Sequence, residues 1–310
     1  MTNNFNFYAP TEVVFGKDTH KETGAYVKKY GGTKILIAYG SERVFRTGLM
    51  DEITDSLKKE ALTYEFLGEV VPNPHLSKVY EGIELGRKMQ ADFLLAVGGG
   101  SVIDTVKAVA YGLAEPEEDV WTLFEHTRTA RKCFPVASVL TIAAAGSETS
   151  MGAVITNEKT KEKRAYDDNL SRPRFAIMNP ELTLSLSDYQ TESGCVDIMM
   201  HTMERYFTNG GNMEITDSIA EGLLRTVITN AQILHNHPQD YHARAEIMWA
   251  GSRQHKKDTF CKVMQNVSFY NRLLSFSKII NRHFIAKTES LVRCGFPFQH
   301  AAALLINNLL

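Results

Sequence analysis

The sequence is poor in cysteine and has no long hydrophobic run, and each absence excludes a class of protein. Its 310 residues include only four cysteines, with no CxxC pair among Cys133, Cys195, Cys261 and Cys294. We therefore expect free thiols in a reducing compartment, and neither a disulfide framework nor a thiolate zinc site. No stretch approaches the roughly 20 consecutive apolar residues of a membrane span, and the first ten residues lack the layout of a signal peptide. These absences predict a cytoplasmic protein that does not interact with membranes.

The net charge is also small, at −2, but it is unevenly distributed along the chain. Residues 253–310 contain nine Lys and Arg, two acidic residues and only one of the 21 glycines. The preceding 252 residues carry 25 basic and 34 acidic side chains. The basic tail has no run of like charges and no recognisable motif, and the acidic remainder would repel phosphates. We therefore expect no nucleic-acid partner.

Two hydrophobic periods alternate in the first half of the chain, which is typical of strand–helix–strand units around a parallel sheet. Predicted strands cover residues 34–39, 64–67, 92–97 and 135–142, and predicted helices cover residues 51–62, 79–89 and 101–112. From Asp188 onward only helical periods remain, most clearly over residues 193–207 and 216–234. The sequence thus predicts an α/β half followed by a helical half, with the boundary near Leu182.

Three consecutive glycines, Gly98, Gly99 and Gly100, stand between a predicted buried strand and a predicted helix. Such residues let the backbone approach a ligand closely, and the helix start offers N–H groups and a positive dipole to a diphosphate. Ser101 is suited to be the N-cap or a phosphate donor. Asp104 either accepts from a ligand hydroxyl or favours the helix start. This pattern alone does not distinguish a nucleotide-binding site from a tight turn with a purely structural role.

Two further loops of small residues favour the nucleotide site. Residues 143–150 follow a predicted strand, and Gly40 and Ser41 follow another. All three loops would lie at the carboxyl edge of the sheet, where open α/β sheets bind ligands. Glu42 would repel a 2′-phosphate if it faced the ribose, which favours NAD over NADP; a solvated loop carboxylate is the alternative.

Asp197 and His201 are spaced by four residues in a predicted helix. Both side chains therefore share one helix face, and a carboxylate with an imidazole can ligate one divalent ion. A surface ion pair is the alternative for two such residues alone.

These motifs together resemble the iron-containing alcohol dehydrogenases, and within them the NADH-dependent butanol dehydrogenase branch. The segments that carry the resemblance are Gly98 to Asp104, Thr141 with residues 145–148, Lys163-Arg164, residues 179–182, Asp197 with His201, residues 196–209 and residues 247–252. The resemblance covers residues 1–252 nearly without gaps.

The resemblance implies a dehydroquinate-synthase-like fold with an active site between an α/β and a helical domain. It assigns residues 1–182 to the α/β nicotinamide-dinucleotide domain and residues 183–252 to a truncated helical metal-binding domain. It assigns these residues to the cofactor: Gly40, Ser41, Gly98, Gly99, Gly100, Ser101, Asp104, Thr141, Ser150, Lys163 and Leu182. Asp197 and His201 would be two ligands of iron or zinc. The implied reaction is reversible hydride transfer between NADH or NADPH and a short-chain aldehyde or alcohol, in a homo-oligomer.

Two departures from the family pattern leave alternatives open. Gly40-Ser41-Glu42-Arg43 stands where the family has further glycines. Beyond Ser252, His255, His283 and His300 do not reproduce the spacing of the family's two remaining metal-ligating histidines. A shifted reading frame, a chimeric join and a divergent segment all explain residues 253–310. The alternative function is therefore a catalytically inactive nucleotide-binding remnant; another member of the superfamily, such as a glycerol dehydrogenase, is a third.

Overall fold

The computed structural model describes residues 7–207 and 213–253, which form two compact units. The α/β unit contains Ala9–Ile142 and Gly146–Ser185. The helical unit contains Ala143–Ala145 and the described residues from Leu186 onward. The predicted architecture, an α/β half followed by a helical half, is confirmed.

A six-stranded parallel sheet forms the centre of the α/β unit, in the order β1-β8-β5-β4-β2-β3. Its strands are β1 (Glu12–Phe15), β2 (Lys34–Tyr39), β3 (Thr63–Leu67), β4 (Phe93–Gly98), β5 (Val136–Leu140) and β8 (Phe175–Met178). The chain moves outward from β2 to β3 and then returns to the other side of β2 at β4. The strand order therefore reverses between β2 and β4, where such sheets bind ligands.

The central strands form because they are continuously apolar, as strands covered on both faces must be. Every residue of β4 is buried. On one face, β2 and β4 pack against Ile53 and Leu57, which lie on the apolar side of helix α3 (Leu49–Lys59). Helices α4 (Leu76–Met89) and α5 (Gly100–Ala114) contact each other, and α5 also contacts β4.

The remaining helices of this unit are short. They are α1 (Thr23–Lys29), α2 (Arg43–Arg46), α6 (Trp121–Phe124) and three 3-10 helices, Thr19–Glu22, Asn169–Ser171 and Pro180–Thr183.

Four strands had no counterpart in the sequence prediction. Strands β6 (Gly152–Asn157) and β7 (Glu162–Asp167) form an antiparallel hairpin that contacts α5 through β6. The other two, β1 and β8, have only four residues each and pair with one another in parallel. Pairs so distant in sequence leave little local signal.

Three long helices make up the described part of the helical unit: α7 (Asp188–Tyr206), α8 (Glu214–Asn236) and α9 (Tyr241–Arg253). A capping box starts α7, because the Ser187 hydroxyl accepts from the Gln190 N–H and the Gln190 side chain accepts from the Ser187 N–H. Met199 and Met203 are buried on α7 and pack in the interior of the helical unit. Helix α8 contacts both α7 and α9.

Two smaller predictions concern membrane spans and thiols. Within residues 7–207 and 213–253, no helix is long and apolar enough to cross a bilayer. Cys133 and Cys195 are free thiols, as expected, and burial raises the pKa of both. Cys261 and Cys294, like His255, His283 and His300, lie outside the described residues.

Candidate functional site

The loops after β2 and β4 flank the point at which the strand order reverses. Gly40 follows β2, and Gly98 ends β4. The side chain of Val102 lies between them: a Cβ added to Gly98 would lie 2.5 Å from Val102 Cγ2, and one added to Gly40 would lie 3.6 Å from the same atom. The structure therefore brings together two of the loops that the sequence assigned to a nucleotide.

The three glycines at positions 98–100 cannot carry side chains without displacing their neighbours. A Cβ on Gly99 would lie 2.2 Å from Ile142 Cγ2, and a Cβ on Gly100 would lie 3.2 Å from Ser147 Oγ. The glycines therefore let the turn pack tightly and keep its backbone free for close approach. A diphosphate bound at a helix start needs such a cradle, so these residues fit the nicotinamide cofactor that the resemblance implies.

Helix α5 begins one residue earlier than the sequence indicated. Its N-cap is Gly99, so of the two roles predicted for Ser101 the N-cap is wrong, and the role of phosphate donor stays a prediction. The Gly99 backbone is extended, as N-caps usually are, and glycine is among the residues favoured at this position. Ser101 lies in the first turn of α5, and its backbone carbonyl accepts from the Thr105 hydroxyl at 2.9 Å.

Asp104 lies one turn into α5, with its carboxylate directed at the β6 backbone. Its Oδ2 accepts from the Val154 N–H at 3.1 Å, and its Oδ1 is buried without a hydrogen-bond partner among the described residues. Burial raises the pKa of Asp104 to about 6, opposed chiefly by the Lys107 ammonium. The contact to Val154 makes Asp104 a link between α5 and the hairpin.

Lys107 is fully buried, and sequence reasoning missed it. Its ammonium donates to the carbonyls of Ser147, Ser150 and Gly152 at 2.9, 2.9 and 2.7 Å, and to Ser150 Oγ at 3.2 Å. One cation thus fixes the segment that leads into β6. The available signal was a single lysine within an otherwise apolar stretch of α5.

A cavity of about 280 Å³ opens at the carboxyl edge of the sheet. It brings together Thr141 and Leu182, two residues that the resemblance assigns to the cofactor. The Thr141 N–H donates to the Gly98 carbonyl at 3.1 Å, so one wall of the cavity adjoins the glycine loop. The other residues that line it are Asp18, His20, Arg43, Val44, Thr47, Leu49, Glu52, Asn179, Glu181, Leu184 and Ser185.

A hydrogen-bonded chain in this cavity wall was also absent from the sequence prediction. Asn179 Oδ1 accepts from the Glu181 N–H, which orients the Asn179 amide so that its Nδ2 donates to His20 Nδ1 at 3.2 Å. His20 Nε2 then donates to Glu52 Oε2 at 2.6 Å. Because an amide nitrogen can only donate, His20 Nδ1 is the acceptor and its Nε2 carries the proton. They join residues up to 159 positions apart, which no local pattern reveals.

Lys163 does not line the cavity. It is exposed on β7, and its Nζ donates to Asn73 Oδ1 at 2.7 Å. Ser150 contacts Lys107, as described above, and the exposed Ser41 follows Gly40.

In the helical unit, Asp197 and His201 lie one turn apart on α7, as their spacing predicted. Asp197 Oδ1 and His201 Nε2 are 3.7 Å apart, and His201 Nδ1 is 3.5 Å from Glu204 Oε2. Burial raises the pKa of Asp197, and His201 opposes this effect.

The donor types at Asp197 and His201 suit iron or zinc, but they do not complete a site. Transition-metal sites of this kind use three or four protein ligands. No group of three or more His, Cys, Asp or Glu that could hold an ion occurs within the described ranges. Within those ranges, Asp197 and His201 therefore do not by themselves form a metal site.

Comparison with protein families agrees with the geometry. A family model described as iron-containing alcohol dehydrogenase matches residues 10–180. A second, described as the C-terminal part of the Fe-containing alcohol dehydrogenase family, matches residues 191–253.

Individual relatives are enzymes of that family. The chain is 41% identical over 249 residues to the probable NADH-dependent butanol dehydrogenase 2 of Bacillus subtilis, covering 80% of this chain and 63% of the relative. It is 36% identical over 253 residues to the NADPH-dependent aldehyde reductase YqhD of Escherichia coli, covering 81% and 64%. The crystal structure of NADH-dependent butanol dehydrogenase A from Thermotoga maritima superposes with a TM-score of 0.80 at 40% identity, covering 82% and 64%. The chain thus spans less than two thirds of these relatives.

Proposed function

The chain belongs to the iron-containing alcohol dehydrogenase family, and from this premise we propose that it binds NADH or NADPH and reduces a short-chain aldehyde, such as butanal, reversibly to the alcohol. The observation that carries the proposal is the glycine loop at the β2/β4 reversal point, joined through Thr141 to a cavity of about 280 Å³. This arrangement offers a backbone cradle for a diphosphate beside a pocket for the rest of a dinucleotide.

The proposed cofactor residues fall into two groups. Gly40, Ser41, Gly98, Gly99, Gly100 and Ser101 belong to the two loops at the reversal point, where backbone N–H groups would donate to phosphate oxygens. Thr141 and Leu182 line the cavity and would hold the adenosine end.

Three other residues assigned to the cofactor, Asp104, Ser150 and Lys163, belong to neither group. Each is engaged by a neighbouring segment: Asp104 by the Val154 N–H, Ser150 by Lys107, and Lys163 by Asn73. We propose that these three position the loops and hairpin around the cofactor.

A bound reduced nicotinamide would supply the hydride that reduces the carbonyl carbon of the aldehyde, and the oxygen would gain a proton from solvent or a protein group. The residues of this chain bind and orient the cofactor for that transfer. No side-chain nucleophile is required.

Asp197 and His201 are proposed as metal ligands on the strength of their shared helix face and 3.7 Å separation. The described residues offer only these two donors of the family's set. The resemblance further predicts a homo-oligomer and a cytoplasmic location.

The test separates binding from turnover in the full chain. We expect NADH or NADPH to bind with micromolar affinity by fluorescence titration, and the cofactor absorbance at 340 nm to fall when butanal and Fe²⁺ or Zn²⁺ are added. Failure to bind either dinucleotide would contradict the proposal.

A catalytically inactive nucleotide-binding protein is the second candidate, favoured by the half-complete donor set. Dinucleotide binding without butanal reduction, and without metal retained after desalting, would select it over the dehydrogenase.

A further inference from the structure

We infer that Arg43 makes the cavity selective for an adenosine 2′-phosphate, so that the chain binds NADPH in preference to NADH. The inference rests on the proposed function, since it takes the cavity as the site of the adenosine end. It concerns which of the two cofactors this chain uses, a choice that its relatives make differently.

The guanidinium of Arg43 has few partners within the described structure. Arg43 is half-buried in the cavity wall, and its single hydrogen bond is a long one, from an Nη atom to Ser185 Oγ at 3.3 Å. A guanidinium has five N–H donors. No carboxylate in residues 7–207 or 213–253 forms an ion pair with it, so most of its donors are available to a ligand.

The acidic side chains of the same wall differ, because each already has a cationic or N–H partner. Asp18 Oδ1 lies 2.6 Å from Lys21 Nζ, and Glu181 Oε1 lies 3.2 Å from Lys17 Nζ. Glu52 accepts from His20 and lies 3.6 Å from Lys21 Nζ. Lys21 is shared by Asp18 and Glu52, so two ammonium groups partner these three carboxylates. The Arg43 guanidinium, by contrast, forms no ion pair with a carboxylate among the described residues and can donate to a phosphate.

Glu42, the residue expected from the sequence to exclude a 2′-phosphate, does not line the cavity. Its side chain is exposed, and its Oε1 accepts from the Tyr39 hydroxyl at 3.1 Å. Tyr39 in turn packs edge-on against Phe45 and Phe66. This contact directs the Glu42 carboxylate toward Tyr39, and the neighbouring Arg43 contributes to the cavity instead.

Partial burial of the Arg43 guanidinium also favours the binding of an anion. Burial lowers the pKa of Arg43, with no opposing carboxylate, because a charged group loses hydration there. Arginine remains charged even so, and its planar fork matches the oxygens of a phosphate. A phosphate monoester would supply the missing counter-charge.

Binding of four ligands to the full chain tests the inference by calorimetry: NADPH, NADH, adenosine 2′-monophosphate and adenosine 5′-monophosphate. We expect NADPH to bind at least about tenfold more tightly than NADH, and the 2′-phosphate more tightly than the 5′-phosphate. Arg43→Gln should weaken NADPH and the 2′-monophosphate about 10- to 100-fold and change NADH less than about threefold. Arg43→Lys should retain part of the affinity for NADPH and the 2′-monophosphate, because lysine keeps the positive charge but lacks the planar fork of donors.

Two neighbouring variants serve as matched controls. Arg46→Gln removes an exposed arginine from the same short helix, and Glu42→Gln removes the carboxylate bound to Tyr39. Both should change NADPH affinity less than about threefold. Equal affinity for NADPH and NADH, or an equal loss of both in Arg43→Gln, would overturn the inference alone. Absence of binding by all four ligands would overturn the proposed function and the inference together.

Discussion

The candidate nucleotide site and the candidate metal site are built in opposite ways. The first is assembled from the ends of β2, β4, β5 and β8, and uses backbone, glycines and a cavity within one unit. The second consists of two side chains one turn apart on α7. A site made by converging strands is complete wherever its sheet is complete, whereas a site made from one helix needs donors from other elements. The described residues therefore support cofactor binding more fully than metal-dependent turnover.

Replacing Lys107 tests how firmly the first region is held. Lys107→Met should lower the free energy of unfolding by about 3–5 kcal/mol, because three buried carbonyls lose a charged donor. Urea and thermal unfolding followed by circular dichroism would measure it. The control Lys88→Met removes an exposed lysine of α4 and should cost less than about 0.5 kcal/mol. A loss below about 1 kcal/mol for Lys107→Met would show that water can replace the ammonium.

A methyl group on the glycine loop tests whether the backbone cradle is essential. Gly99→Ala places a Cβ 2.2 Å from Ile142 Cγ2 and should weaken dinucleotide binding about 10- to 100-fold, since the loop must shift. Fluorescence titration with NADH and NADPH would measure the change. The double variant Gly99→Ala with Ile142→Ala removes the clashing atom and should recover most of the affinity. Failure of this rescue would mean that the glycine acts through something other than space.

Substitution of the α7 pair tests the second region separately. Asp197→Asn should weaken Zn²⁺ or Fe²⁺ binding about tenfold or more, because a neutral amide is a poorer ligand than a carboxylate, and should leave NADH affinity unchanged. Metal titration by calorimetry, with dinucleotide titration alongside, would measure both. Unchanged metal affinity would remove Asp197 from the ligand set.

The smallest expected effect concerns a glycine of α8, Gly222. Among the described residues, a Cβ there would meet nothing within 4 Å apart from its own helix. Gly222→Ala should therefore stabilise the helical unit by about 0.5–1 kcal/mol through reduced backbone entropy in the unfolded chain. Thermal unfolding would show it. Destabilisation would indicate that a neighbour covers this face.

The sequence predicted those features that depend on local pattern. Strand β2 has the predicted bounds, and the glycine loop joins a strand to a helix as expected. The spacing of Asp197 and His201 also placed them correctly on one helix face. Hydrophobic period and glycine content determine such features within a few residues of chain.

Features that depend on distant partners were not predictable. Lys107 reaches carbonyls 40 or more positions away, and His20 meets Glu52 and Asn179 from separate segments. The four-residue strands β1 and β8 form only by pairing with each other and with the sheet. The orientation of Glu42 followed from the Tyr39 hydroxyl and not from its position beside Gly40. In each case tertiary contacts override what the local segment indicates.

The buried Lys107 ammonium also affects how the adjoining loop can evolve. Three of its four acceptors are main-chain carbonyls, which every amino acid provides. The path of the chain into β6 is therefore secured independently of most side chains along it. Ser147 and Glu148 are buried, whereas positions 149–151 are partly exposed, so substitutions at 149–151 can change the surface of the loop while its backbone keeps its course. Lys107 would thus permit side-chain variation in part of the segment that it holds.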